Sequence, residues 1–177
     1  AGTSLWLAFH DDLADPKHPD PIARESTRLT CVAATAAQSS YDPRFVEKIG
    51  IPRPNFERHG FFLPFYGITA AEIDTPKAYA LYTMAAPITH LTKDDPPVLL
   101  TYNQRNEPVT EATSLPVIVH HPLLGLALKR EMDKLGIECV VVYRGTKPGE
   151  LIQEPPASGS RPISTVDFIR KYFAAVR

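Results

Sequence analysis

The stretch VIVHHPLLGLALKREMDKLGIECVVVYRG, residues 117–145, contains a helix pattern followed directly by a strand pattern. Apolar side chains recur at helical spacing over residues 123–132, and Gly136 supplies the usual stop signal of a helix. The run IECVVVYRG, residues 137–145, is almost continuously apolar, which is typical of a strand buried on both faces of a sheet. A helix that alternates with such a strand predicts an α/β fold.

Two further apolar runs predict the remaining strands. They are RLTCVAATAAQ, residues 28–38, and PPVLLTYNQ, residues 96–104, whose two prolines are confined to its start. Strands that alternate with helices imply parallel pairing and right-handed crossovers. The sequence therefore predicts a three-layer α/β/α fold on a doubly wound, mainly parallel sheet. A loop rich in Pro, Gly and Ser is expected after the third strand.

Amphipathic patterns predict a helix near each end of the chain, in AGTSLWLAFHDDLADP (1–16) and after the capping pair Ser164 and Asp167. A helix at the start of the chain with no strand leading into it predicts that the sheet belongs to a larger one. The apolar faces expected to be buried are Leu5, Trp6, Phe9 and Leu13 in the first helix and Val166, Ile169, Phe173 and Val176 in the last.

The segment 39–91 separates the first two strands and is too long for a bare loop. The pair Thr69 and Glu72 forms a capping-box pattern, and Thr75 before Pro76 predicts another helix start. We expect a long helical crossover that forms a cap or lid within a single domain, residues 1–177. Its aromatic cluster, Phe61, Phe62, Phe65 and Tyr66, is compatible with the core of a lid or with the wall of a substrate pocket.

Composition excludes several functional classes. Nineteen basic and twenty acidic residues give a net charge of -1 without long blocks of one sign, so no nucleic-acid or anionic-lipid partner is predicted. No membrane span is predicted either. Cys31 and Cys139 lie in apolar runs and are expected to be free thiols. No metal-binding spacing such as CxxC or HExxH occurs, so neither a metal nor a cofactor is predicted.

Three stretches resemble the C-terminal half of an α/β-hydrolase-fold esterase or lipase. They are AGTSLWLAFHDDLADP (1–16), MAAPITHLTKDDPPVLLTYNQRNEPVT (84–110) and GLALKREMDKLGIECVVVYRG (125–145). In that family the catalytic serine lies in a G-x-S-x-G turn before a helix that starts with small residues. The resemblance implies that the serine turn lies upstream of Ala1. It also implies a carboxylic ester as the substrate. Ser4 lies within the helix pattern and has no glycine pair around it, so it is expected to be an ordinary helix residue.

The resemblance implies an acidic residue after the second strand and a histidine after the third. Asn106 stands at the acid position and Glu107 is its neighbour, so either is a candidate, with a turn or capping role as the alternative. No histidine follows the third strand. His121 is the candidate base by default, although a place on the surface at the start of the helix is the favoured interpretation of this residue.

Three functional hypotheses remain open on the sequence alone. The chain is part of an active esterase, or it is a catalytically degenerate member of the fold that binds or scaffolds, as the amide of Asn106 and the missing histidine suggest. The third hypothesis is a small domain that completes its sheet with another chain or as a homo-oligomer, because an open sheet edge favours association.

Overall fold

The computed structural model describes residues 1–58, 60–159 and 161–174, which contain a four-stranded sheet in the order β1-β2-β3-β4. β1, β2 and β3 are parallel, as predicted, and β4 is antiparallel to β3. The sheet is therefore mixed. The strands are β1 (Val32–Thr35), β2 (Val98–Arg105), β3 (Cys139–Arg144) and β4 (Leu151–Glu154).

Helices surround this sheet, and short 3-10 turns occur at Ile22–Arg24, Ala70–Glu72 and Pro87–Thr89. The α-helices are α1 (Gly2–Phe9), α2 (Pro43–Lys48), α3 (Pro54–Glu57), α4 (Phe62–Tyr66), α5 (Pro76–Ala85), α6 (Leu115–Ile118), α7 (Pro122–Leu135) and α8 (Thr165–Ala174).

The two faces of the sheet have separate apolar cores. On one face α1 and α7 pack against alternate strand residues such as Val98 and Leu100. On the other face Phe168 of α8 packs against Leu99, the residue between those two. Alternate residues of a strand point to opposite faces, so burial on both faces accounts for the nearly continuous apolar pattern. These packing relations establish the α/β class of the chain.

The strand β4 corrects the prediction of a loop after the third strand. Leu151–Glu154 pairs antiparallel with β3 after the loop 145–150, in which Gly149 has φ +75°. The Glu150 carboxylate accepts a hydrogen bond from the Lys147 backbone N–H at 2.9 Å. A Cβ at Gly145 would collide with this carboxylate. A four-residue strand without a clear apolar alternation carries too weak a pattern to be found from the sequence.

The predicted length of the first strand is also corrected. The sequence favoured residues 28–38, but β1 covers only Val32–Thr35. Ala36 follows with φ +55°, a left-handed conformation that ends the extended backbone. From Ala36 onward the chain leaves the sheet, at the carboxyl end of β1.

The terminal helices bury faces that differ from those predicted. Helix α1 ends at Phe9, so Leu13 lies beyond it and is 60% exposed, whereas Leu5 and Phe9 are buried as expected. In α8, Phe168 is the buried residue because it fits against the sheet. The predicted face is wrong: Val166, Ile169 and Phe173 are exposed, and Val176 lies outside the described residues.

The segment 39–91 contains α2 to α5, and its predicted helix starts are confirmed. Thr69 and Glu72 form a capping box, and Thr75 caps α5 by accepting a hydrogen bond from Ala78 N–H at 3.3 Å. Helices α4 and α5 share an aromatic core in which Phe62, Tyr66 and Tyr82 are buried, whereas Val46 of α2 and Phe56 of α3 belong to a separate cluster. By contrast, Phe61 and Phe65 are largely exposed.

Tyr102 and Gly125 fix the distance between β2 and α7. The Tyr102 hydroxyl is buried and donates a hydrogen bond to the Ala37 carbonyl oxygen at 2.8 Å. A Cβ added at Gly125 would lie 2.5 Å from the Tyr102 ring. Glycine is therefore required here by close packing, even though it lies inside a helix where it is normally unfavourable.

We expect Gly125→Ala to lower the free energy of unfolding by about 1–3 kcal/mol, because overpacking against Tyr102 outweighs the better helix propensity of alanine. Urea denaturation measures the change. Arg130→Ala, at an exposed position of the same helix, is the matched control and is expected to change stability by less than about 0.5 kcal/mol. A Gly125→Ala variant as stable as the wild type would contradict the packing argument.

Candidate functional site

The carboxyl ends of β2 and β3 open into a polar cavity of about 320 Å³. In open α/β sheets ligands bind at this edge, where the loops that follow the strands meet. The lining residues are Asn103, Gln104, Arg105, Glu107, Pro108, Val109, Thr113, Val117, His121 and Arg144. Two of the three residues predicted for a site, Glu107 and His121, are among them.

A break in the strand register shapes the wall of this cavity. Tyr102 pairs with Tyr143, and the next pair is Arg105 with Arg144, so Asn103 and Gln104 have no register partner on β3. A bulge of this kind bends a strand and turns its side chains toward new directions. It brings amide side chains of β2 to the cavity and aligns two arginines on adjacent strands.

Asn106 and Glu107 directly follow β2, and both are exposed. Burial raises the pKa of the Tyr143 phenol, and a side-chain hydrogen bond from Asn106 opposes part of this shift. The Glu107 carboxylate accepts a hydrogen bond from Arg105 at 3.3 Å. Neither side chain forms a described hydrogen bond with His121.

His121 is the buried N-cap of α7, not a surface residue. Its Nδ1 accepts a hydrogen bond from the Leu123 backbone N–H at 3.2 Å. Its Nε2 therefore carries the proton and donates to the Glu107 carbonyl oxygen at 3.0 Å. Burial lowers the pKa of this imidazole, although the Glu107 carbonyl opposes the shift. The ring is neutral, and both of its nitrogens contact backbone groups.

The structure thus brings Glu107 and His121 together through the Glu107 backbone, while the carboxylate turns to Arg105. In a catalytic triad a carboxylate accepts the Nδ1 proton of the base, and Nε2 is left to receive a proton from the nucleophile. Neither condition holds in this arrangement. What His121 does here is cap a helix and hold the loop after β2 against it.

The residues that follow β1 are hydrogen-bonded to the start of α7 and to the residues just before it. Gln38 donates a side-chain hydrogen bond to the Val119 carbonyl oxygen at 2.8 Å, and Ser39 donates to the Leu124 carbonyl oxygen at 2.7 Å. His120 Nδ1 lies 3.3 Å from the carbonyl oxygen of Ala36, the residue with a left-handed backbone. These bonds fix the start of α7 relative to the ends of the parallel strands.

A second cavity, of about 240 Å³, lies at the first turn of α1. Its walls are mostly apolar and include Trp6 of α1, together with Tyr41 and Phe65 from segment 39–91. A Cβ at Gly2 would overlap the Tyr41 hydroxyl, so a residue without a side chain lets the aromatic ring approach the helix. One residue of the predicted aromatic cluster, Phe65, therefore lines a cavity, whereas Phe62 and Tyr66 form the core of the segment.

Sequence reasoning missed the two arginines of the first cavity. The available signal was position, because Arg105 and Arg144 are the last residues of β2 and β3. It also missed a ring cluster in which His10 lies 3.4 Å from Trp6 and 3.9 Å from His90, centroid to centroid. Among the residues described, no group of three or more His, Cys, Asp or Glu could hold a metal ion. His59 lies outside the described residues.

No protein-family model, curated protein or solved structure matches the chain. Across residues 1–58, 60–159 and 161–174, none of the helices has the length and apolar character needed to cross a membrane.

We expect the stability of the protein to fall as the pH decreases below the unfolded-state pKa of histidine, about 6.5. The pKa of His121 is lowered in the folded state, so below pH 6.5 the unfolded chain binds a proton that the folded chain does not. This loss continues until the pH reaches the folded-state pKa. Urea denaturation between about pH 8 and about pH 5 measures it.

His121→Asn is the matched variant for this prediction, because asparagine is a good N-cap that does not titrate. It loses the hydrogen bond to the Glu107 carbonyl oxygen, which costs about 1 kcal/mol at pH 8. We expect the difference between the two proteins to shrink as the pH falls. Parallel pH profiles for wild type and variant would show that His121 does not carry the effect.

Proposed function

We propose that this chain is the C-terminal part of an α/β-hydrolase-fold carboxylic-ester hydrolase, with segment 39–91 as its helical cap. The observation that carries the proposal is the apolar cavity at the first turn of α1, lined by Trp6, Tyr41 and Phe65. In the fold that the sequence resembles, the nucleophilic serine stands just before this helix. A cavity with aromatic walls at that point would hold the acyl or alcohol part of an ester.

The order of the strands supports the same proposal. β1, β2 and β3 are adjacent, parallel and in chain order, with α1 and α7 on one face and α8 on the other. β1 stands at one edge of the sheet, and no described strand pairs with its free side. In the proposed fold a strand preceding the serine turn pairs there, which extends the sheet into a doubly wound, three-layer one. A strand from another chain or a second copy would cover the same edge.

In this proposal the residues after β2 supply the acid, and Glu107 is the candidate that carries a charge. Its neighbour Asn106 could orient an imidazole but could not stabilise its cation. His121 would have to leave its two backbone hydrogen bonds before it could accept a proton from a serine. The ester would be bound between the cap and the first turn of α1, in the cavity lined by Trp6, Tyr41 and Phe65.

A non-catalytic member of the same fold is the second candidate, and the hydrogen bonds of His121 favour it. Both ring nitrogens are engaged with backbone groups, and the Glu107 carboxylate pairs with Arg105. A fold that kept the cavities but lost the triad would bind a ligand without turning it over. A covalent intermediate forms only in the active hydrolase, so detecting one distinguishes the two candidate functions.

The test is to label the native gene product that contains this chain with a fluorophosphonate probe and to measure hydrolysis of short-chain esters. An active hydrolase gives one adduct, on a serine, and measurable turnover. Glu107→Gln is then expected to lower turnover by about two to four orders of magnitude, because the base loses its orienting charge.

Glu111→Gln is the matched control, because it removes an exposed carboxylate of the same loop that does not line the cavity. Its turnover is expected to stay close to that of the wild type. Absence of both adduct and turnover in the folded native product would refute the hydrolase and leave the binding member of the fold. Equal losses in the two variants would remove Glu107 from the acid role.

A further inference from the structure

The cavity at the ends of β2 and β3 has an excess of positive charge that the proposed ester chemistry does not use. Two arginines, Arg105 and Arg144, and one carboxylate, Glu107, line it. His121 adds no charge because its imidazole is neutral, with Nδ1 accepting a hydrogen bond from the backbone. The walls therefore carry a net charge of about +1, together with the amide groups of Asn103 and Gln104.

The two arginines are placed side by side by the sheet itself. Arg105 and Arg144 are register partners on adjacent parallel strands, whose axes lie about 4.8 Å apart. Register partners in a sheet point to the same face, and both residues border the same cavity. Placing two like charges next to each other is unfavourable unless an anion lies between them.

Within the sheet and loops that the structure describes, this charge is only partly neutralised. Arg105 pairs with Glu107 at 3.3 Å, and the Glu107 side chain is 63% exposed, so the pair is a weak one. Arg144 is exposed and forms no ion pair with any described residue. The guanidinium of Arg144 is thus available to bind an anion. The guanidinium of Arg105 is paired with the Glu107 carboxylate, which a stronger anionic ligand can displace.

We propose that this cavity binds a small oxyanion, the carboxylate or phosphate group of an organic acid, between the guanidinium groups of Arg105 and Arg144. Guanidinium groups match the geometry of both oxyanions and form paired, charge-assisted hydrogen bonds with them. A volume of about 320 Å³ is at the small end of ligand cavities and suits a compact metabolite. The proposal does not rest on ester hydrolysis, because binding requires no nucleophile.

Isothermal titration calorimetry of the full chain tests it, with succinate and inorganic phosphate as separate probes at low ionic strength. We expect one site, with affinity that falls as salt is added. Arg144→Gln and Arg105→Gln are each expected to weaken binding by about tenfold, as the loss of a charged hydrogen-bond donor predicts. Arg130→Gln, on the exposed surface of α7, is the control and is expected to bind as the wild type does.

Glu107→Gln gives a test in the opposite direction, because removing the competing carboxylate should tighten binding several-fold. This variant keeps the proposal falsifiable if an arginine variant does not fold. Binding of succinate alone or phosphate alone supports the site and identifies the oxyanion. Failure of the wild type to bind either probe, or equal weakening in Arg130→Gln, would overturn the proposal whatever the outcome of the ester assays.

Discussion

The burial of β2 on both faces is the constraint on which the rest of the structure depends. Val98, Leu99 and Leu100 have no exposed surface, so this strand needs apolar partners above and below it and hydrogen-bonded strands on each side. Helices α1 and α7 supply one cover and α8 the other. Because β1 and β3 are parallel to β2, each connection must return the chain to the same end of the sheet, and the β2–β3 connection carries α7. Helix α1 precedes β1 and α8 follows β4, so these two covers come from outside the crossovers.

The candidate site arises where this burial stops. Beyond Tyr102 the strand β2 becomes polar, and the register break leaves Asn103 and Gln104 unpaired with β3. The same break aligns Arg105 with Arg144. The buried, apolar part of the sheet is rigid, and it holds the polar side chains at the carboxyl ends of the strands in place. Ligands of α/β proteins usually bind at such strand ends.

The parallel strands and α7 could be predicted because their patterns are long and strongly apolar, and Gly136 does end the helix with φ +74°. β4 could not, since its pairing depends on the neighbouring edge of β3. The buried face of α8 was missed for a similar reason: Phe168 is chosen by the shape of the sheet, while Val166, Ile169 and Phe173 satisfy helical spacing equally well. At the site, the resemblance led to Glu107 as a candidate, and Glu107 does line the cavity, but no sequence pattern reveals the register break.

His121 shows how a residue that suggests catalysis can be explained by folding. A helix start leaves backbone N–H groups without partners, and proline at the first position removes one of them. Pro122 follows His121, and the imidazole accepts a hydrogen bond from the next available N–H, that of Leu123. This role requires an unprotonated Nδ1, so the ring contributes no charge to the cavity. The charge of the cavity is therefore set by Arg105, Arg144 and Glu107, and the proposed oxyanion would be selected there by charge and by the spacing of two adjacent strands.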